Sequence, residues 1–312
     1  VIAVICLLMP VGRALAVSPG ASAWGQGTSG ELGDGFEYSS DVPVEVSGLA
    51  GVEAVAAGGH DSLALLEDGT VMAWGENGLG QLGNGTTKGS SVPVAVSGLS
   101  EVTAIAAGFA DNLALLSGGT VMAWGYNESG QLGNGTTEDS SVPVPVNALS
   151  KATAIAASGD HSLALLSDRT VMAWGENGRG QLGNGTTEDS SVPVAVTGLS
   201  EVTAIAAGNW YSLSLLEDGT VMAWGDGERG ALGNGGEGDS NVPVAVCAAG
   251  EVQPCSHQLD EVIAIAAGGS HSLALLEDGT VMAWGENGLG QLGNGTTKGS
   301  SVPVAVSGLS EV

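Results

Sequence analysis

The sequence predicts an all-β array made of one repeated unit, and three observations predict it. First, the stretch Val71-Met-Ala-Trp-Gly75, continued through Glu76-Asn-Gly-Leu-Gly-Gln-Leu-Gly-Asn-Gly85, recurs along the chain. It places tryptophans at Trp24, Trp74, Trp124, Trp174, Trp224 and Trp284, 50 residues apart with a last interval of 60. A fixed period of this size marks a supersecondary unit whose copies bury one another's apolar faces. Second, 53 of the 312 residues are glycine, yet 43% are hydrophobic, so the chain has a core to bury. Third, the apolar runs are short and bounded by glycine-rich turns, the pattern of many short strands.

The elements follow in chain order. Residues 1–16 do not match the repeat. The apolar run from Val1 to Val11, then Gly12-Arg13 and Ala14-Leu15-Ala16, reads as a signal-peptide fragment cleaved after Ala16, or after Ala23. The run is too short to span a membrane. Residues 17–312 are the repeat domain. One unit reads as four strands, Val92-Pro-Val-Ala-Val96, Val102-Thr-Ala-Ile-Ala-Ala107, Leu113-Ala-Leu-Leu116 and Thr120-Val-Met-Ala-Trp124. Pro93 suits an edge strand or a strand start. The turn Glu67-Asp-Gly-Thr70 is a hairpin signal, and Arg169 is the least comfortable occupant of its glycine position. A long loop follows each Trp-Gly pair, with Leu82 packing beneath it. The fifth unit carries a ten-residue insertion within 247–260, between its first and second strands. Residues 67–102 and 277–312 are identical, as after a recent duplication.

Gly268 to Leu276 (Gly-x-x-His-Ser-Leu-Ala-Leu-Leu), Asp278-Gly, Ala-Trp-Gly at 283–285 and Gly-Gln-Leu-Gly at 290–293 resemble the regulator of chromosome condensation repeat. The resemblance covers residues 21–312, in the manner of a bacterial-type secreted member. It implies a β-propeller of four-stranded blades, seven in the family's closed ring. Here five full blades are expected near 42–75, 92–125, 142–175, 192–225 and 242–285. Orphan strands at 21–25 and 302–306 are expected beside them, in a ring truncated at the C-terminus. It also implies that His161 and His271 are structural and bond loop backbone.

Comparison of the copies separates scaffold from candidate site. The copies differ in the turn between second and third strands, just after Trp-Gly, and later in that loop. Alternating strand direction puts all three places on one face. Apart from the repeat tryptophans, every aromatic falls there: Phe36, Tyr38, Phe109, Tyr126, Trp210 and Tyr211. These residues are the expected partner-binding set, against the alternative that they cover local loop backbone. The six repeat tryptophans are structural.

Charge and chemistry narrow the function. Thirty-four acidic against seven basic residues give −27, which argues against nucleic acid and against anionic membrane surfaces. Cys247 and Cys255 form a loop-stapling disulfide if the chain is exported, and are free thiols otherwise. No Ser/His/Asp or Cys/His set and no phosphate loop is present, and no calcium-loop motif is found. The Asn-Gly-Thr triplets read as turn chemistry rather than glycosylation sites. No enzyme activity, cofactor or metal is therefore expected. The expected function is an exported or cell-surface propeller that binds a protein or surface polymer through its variable face, as an inhibitor or adhesion module. The alternatives are guanine-nucleotide exchange on a small GTPase, which the family resemblance implies, and a structural spacer in a larger surface protein.

Overall fold

The computed structural model describes residues 20–251, 254–309 and 312. The expected signal peptide lies outside the described residues. The chain divides into two compact units at Lys151/Ala152, taken here in turn.

In the first unit β1 (Ser22–Gly25) pairs with β2 (Ser40–Glu45) as a two-stranded sheet. A four-stranded antiparallel sheet follows, in the order β3 (Val52–Ala57), β4 (Asp61–Leu66), β5 (Val71–Gly75) and β6 (Ser90–Ala95). The next sheet repeats it with β7 (Val102–Ala107), β8 (Asp111–Leu116), β9 (Val121–Gly125) and β10 (Ser140–Pro145).

The second unit holds three such sheets. They are β11 (Ala152–Ser158) to β14 (Ser190–Ala195), with β12 (His161–Leu166) and β13 (Val171–Gly175) between; β15 (Val202–Ala207), β16 (Tyr211–Leu216), β17 (Val221–Gly225) and β18 (Ser240–Ala245); and β19 (Val262–Ala267), β20 (His271–Leu276), β21 (Val281–Gly285) and β22 (Ser300–Ala305). Among the described residues no helix is long and apolar enough to cross a membrane.

The strands are those the sequence marks, but the pairing frame is shifted by one strand. The sequence groups the Val-Pro-Val strand with the strands that follow it. It pairs instead with the Trp-Gly strand before it, as in Met72↔Ala95 and Ala73↔Val94. The four-stranded sheets therefore span 52–95, 102–145, 152–195, 202–245 and 262–305. The strand at 302–306 is not an orphan, because Met282 pairs with Ala305 and Ala283 with Val304. The strand at 21–25 likewise has a partner in β2. The physical reason lies in the loop. Gly75 ends β5 at φ +111°, and a Cβ there would meet the His60 carbonyl at 2.5 Å. Only glycine turns the chain this way, and the loop beyond returns it to the open edge of β5.

Alternation along the central strands sorts large from small. Leu63, Leu65, Val71 and Ala73 cluster with Ala114 and Trp124 of the next sheet. Ala64 and Trp74, which point the other way, cluster with Ala21, Ala23 and Leu32. The second unit repeats this, with Leu163, Leu165, Val171 and Ala173 against Trp224. A bulky indole from one sheet thus packs among the aliphatic side chains of its neighbour, filling the space between the sheets. Burying one indole contributes about 5 kcal/mol as an upper bound. Leu82 is fully buried in the same cluster as Trp124, under its loop.

Four of the indole N–H groups are satisfied by the preceding loop. Trp74 donates to the Glu31 carbonyl at 2.8 Å, Trp124 to Gln81 at 2.7 Å, Trp224 to Gln181 at 2.9 Å and Trp284 to Ala231 at 3.0 Å. The same carbonyls accept a second bond, from Ser62, Asn112 and Ser212. Gly83 lies on the ring: a Cβ there would stand 2.8 Å from Trp124 Cδ1, at a backbone φ of +58°.

Replacing Trp124 by Phe keeps most of the apolar burial and removes one buried hydrogen bond, so stability should fall by about 1–2 kcal/mol. Gly83→Ala adds a clash and a strained φ and should cost more, about 2–4 kcal/mol. Urea unfolding midpoints rank the two. A Gly83→Ala variant as stable as the parent contradicts the close approach to the indole.

Candidate interaction site

The loop after each Trp-Gly pair is built around one asparagine. Asn77 Oδ1 accepts the Leu82 N–H at 2.8 Å, while its Nδ2 donates to the Thr86 and Lys88 carbonyls at 3.0 Å each. Asn127, Asn177 and Asn287 repeat this set. One buried amide thereby joins both halves of the loop. Asn127 begins a glycosylation triplet, but its amide is enclosed by these bonds. In the Asn-Gly-Thr triplets, Asn84 Oδ1 accepts the Thr86 N–H at 3.0 Å, which is turn chemistry.

The first and fifth loops have glycine at the asparagine position. A Cβ on Gly27 would meet the Tyr38 carbonyl at 2.2 Å, and one on Gly227 would meet the Gly238 carbonyl at 2.0 Å. Backbone occupies the space that the asparagine fills elsewhere, so these loops differ in path. The first presents Phe36 and Tyr38. The fifth contains a 3-10 turn, Glu228–Gly230.

The variable turns and loops meet at one end of each sheet, as alternating strand direction requires. Glu76 N–H donates to the His60 carbonyl at 2.9 Å, Tyr126 to Ala110 at 3.0 Å and Asp226 to Trp210 at 2.8 Å. In the first unit Phe36 and Tyr38 are each 54% exposed, with ring centroids 5.2 Å apart. Phe109 is also 54% exposed and takes the His60 ring edge-on, at 5.7 Å between centroids. Tyr126 is half-buried, its hydroxyl donating to Glu128 at 2.9 Å. In the second unit Trp210 is 43% exposed. The structure thus presents two aromatic pairs and a separate tryptophan.

Tyr211 does not belong to that set. Its ring is buried in the core, and its hydroxyl donates to the His271 carbonyl at 2.5 Å. The first residue of the third strand points inward, a one-residue parity effect that separates Tyr211 from Trp210.

That inward position carries a row of buried polar side chains. Asp61 accepts from Asn112 Nδ2 at 2.7 Å. His161 Nε2 lies 2.9 Å from Ser212 Oγ, which itself donates to the Gln181 carbonyl. His161 therefore carries its proton on Nε2. It bonds a side chain of the next sheet rather than the loop backbone expected of it. At Tyr211 the direction is reversed, and its hydroxyl accepts from Ser272 Oγ at 3.0 Å.

Around these loops the charge is mostly acidic. Arg179 reaches Glu228 and Asp239, each at 3.2 Å, and those acids hold its guanidinium above its usual range. Burial raises Glu176 and Asp226, with nearby carboxylates adding to the shift. Arg229 pairs with Glu286. Among the described residues no group of three or more His, Cys, Asp or Glu side chains is placed to hold a metal.

At the other end of the sheets, Cys247 and Cys255 are joined as a disulfide, with Cα atoms 5.5 Å apart. The inserted segment folds back antiparallel: Ala248 N–H donates to the His257 carbonyl at 3.0 Å, and Leu259 to Val246 at 2.9 Å.

Comparison with known proteins accounts for this repeated frame. The model of the Regulator of chromosome condensation (RCC1) repeat matches residues 23–65, 68–114, 118–165, 170–215, 218–275 and 278–312. The chain belongs to the RCC1 repeat family. Its RCC1 repeats are 44% identical over 50 residues to the mitochondrial RCC1 domain-containing protein RUG3 of Arabidopsis thaliana, covering 16% of this chain and 11% of that protein. They are 45% identical over 49 residues to the human E3 ubiquitin-protein ligase HERC2, covering 16% of this chain and 1% of that protein. The matches thus span about a tenth or less of these relatives' own lengths.

Among solved structures, human WBSCR16 aligns with a TM-score of 0.79 at 27% identity, covering 92% of this chain and 76% of that one. Prp20p of Saccharomyces cerevisiae, reported with its binding to Gsp1p and histones, aligns with a TM-score of 0.62 at 24% identity, covering 94% and 87%. The fold is the RCC1-like β-propeller fold.

Burial raises the Asp61 carboxyl to about 7, and Glu76 adds to the shift against the Asn112 hydrogen bond. A folded pKa above the unfolded value gives a contribution fully present below about pH 4 and lost as pH rises through about 7. His161 has the opposite sign: burial lowers it to about 4, so its contribution is present above about pH 6.5 and lost as pH falls through about 4. Asp61→Asn should therefore gain on the parent by about 3 kcal/mol between pH 4.5 and pH 7, at about 1.4 kcal/mol per pH unit. Denaturation at the two pH values measures it; a difference independent of pH is inconsistent with a protonated Asp61.

Proposed function

We propose that the protein is a non-enzymatic interaction module that binds another protein through the exposed aromatics at the loop ends. The observation that carries this reading is the exposure of Phe36, Tyr38, Phe109 and Trp210 on loops and turns held by backbone hydrogen bonds. Rigid aromatic rings lose little conformational entropy on binding and are frequent interface anchors. The repeated scaffold positions are buried, so recognition falls to the residues by which the copies differ. The RCC1-like fold supports a binding role, as does the reported binding of Prp20p to Gsp1p and histones.

An extracytoplasmic location belongs to the same proposal. Its structural support is the Cys247–Cys255 pairing, since such bonds persist in oxidising compartments. Nucleotide exchange on a small GTPase is the second reading, favoured by the likeness to Prp20p.

The test uses affinity capture with the full chain and a triple variant, Phe36→Ala, Phe109→Ala and Trp210→Ala. Partner recovery should drop at least tenfold for the variant, at about 1.4 kcal/mol or more of lost binding energy. Equal recovery would move the interface elsewhere. Tyr211→Ala is a control of a different kind: it opens a core cavity and should lower stability by about 3–5 kcal/mol. Accelerated release of a labelled guanine nucleotide from a small GTPase, slowed by the triple variant, would select the second reading.

A further inference from the structure

The hairpin end of the second unit, opposite the variable loops, carries the same local frame twice with different contents. In the first copy, Val202 N–H donates to the Arg169 carbonyl at 3.1 Å and Glu217 N–H to the Glu201 carbonyl at 2.9 Å. The Arg169 side chain crosses to both carboxylates, 2.7 Å from Glu201 and in direct contact with Glu217. In the second copy, Val262 N–H donates to the Gly219 carbonyl at 3.1 Å and Glu277 N–H to the Glu261 carbonyl at 2.8 Å. The backbone bonds agree to 0.1 Å, and the two glutamates are retained at equivalent places. The arginine is replaced by glycine.

Where that side chain is missing there is a cavity of about 420 Å³. Glu217, Asp218, Asp260, Glu261 and Glu277 line it, and no basic residue does. Ile263, 53% exposed, lines it too, at the position that is threonine in the copy before it. The first unit shows a third state of this junction. There the glycine is Gly69, the second glutamate is replaced by Ser117, and Ser117 Oγ donates to Glu101 at 3.0 Å. The first-unit junction is thus satisfied by a serine and the Arg169 junction by an arginine, while the Gly219 junction keeps both glutamates with neither partner.

We propose that this cavity is a guanidinium-binding site that takes an arginine side chain from a partner protein. The occupant is identified by the neighbouring copy, in which the equivalent glutamates hold a guanidinium supplied by the chain itself. A planar fork satisfies two carboxylates at once, as a point-like ammonium does not. Ile263 gives the aliphatic stem an apolar surface that a free metal ion would not use. The site lies at the other end of its own sheets from Trp210, so it stands or falls separately from the exposed aromatics.

The probe is the blocked peptide acetyl-Gly-Arg-Gly-amide, titrated into the full chain and followed by NMR, with the lysine counterpart and calcium chloride as parallel titrations. One saturable arginine site is expected, with the lysine peptide weaker by about tenfold. Glu261→Gln should weaken the arginine peptide by about tenfold, and as an exposed substitution it leaves the fold intact. Gly219→Arg should fill the cavity from within and abolish binding; Arg169 already adopts the left-handed conformation there, at φ +66°. Arg169→Gly should open a second site and raise the stoichiometry to two. Any of four results overturns the proposal: no saturable binding, equal binding of the lysine peptide or calcium, a Glu261→Gln variant that binds as the parent does, or a stoichiometry unchanged by Arg169→Gly.

Discussion

A tryptophan that reaches back to the loop of the preceding sheet sets the spacing of everything else. The indole N–H of Trp124 and the amide of Asn112 together occupy the Gln81 carbonyl, and Trp74 with Ser62 does the same at Glu31. That carbonyl lies beneath a loop where no water reaches, so both of its lone pairs need partners from the next sheet. The requirement propagates. The loop must pass close over the ring, which forces Gly83; it must hold its shape, which Asn77 achieves; and the adjoining sheet must offer an aliphatic surface to the ring. The most repeated residues in the sequence are therefore those least available to a partner.

This explains what the sequence shows readily and what it hides. Strand positions, loop positions and the burial of the repeat tryptophans are written in a pattern repeated six times. The pairing frame is not, because Val92–Val96 is equally close in sequence to the strand before it and the strand after it. Which neighbour it joins is decided by how Gly75 turns the chain, a backbone property with no apolar signature. The candidate surface was legible for Phe36, Tyr38, Phe109 and Trp210. It misled at Tyr211, where variability between copies resembled exposure but reflected a change of buried partner. The carboxylate cavity at Gly219 could have been found by aligning the hairpins and asking which lacks Arg169. Its emptiness as a space, however, belongs to packing alone.

Variation between the copies of such an array divides between the two ends of the sheets. The loop end has long segments that tolerate Gly27 or Gly227 in place of asparagine and so change path, and there the aromatics collect. The hairpin end has short, tight turns, where a single substitution changes charge without moving the backbone, as Arg169 and Gly219 demonstrate. Path variation suits recognition of shape, and charge variation suits recognition of one chemical group.

The buried row at the start of the third strands has a consequence for assembly. Forty-one residues are duplicated letter for letter in this chain, 62–102 and 272–312, and near-identical modules invite docking in the wrong order while the chain folds. The inward side chains differ between several of the neighbours and act there as a key. Asp61 meets an asparagine, His161 a serine that already spends its proton elsewhere, and Tyr211 a serine that donates to its hydroxyl. Exchanging two sheets would bury a carboxylate or an imidazole against the wrong lock. Polar contacts in the interior thus distinguish three of the junctions between otherwise near-identical parts.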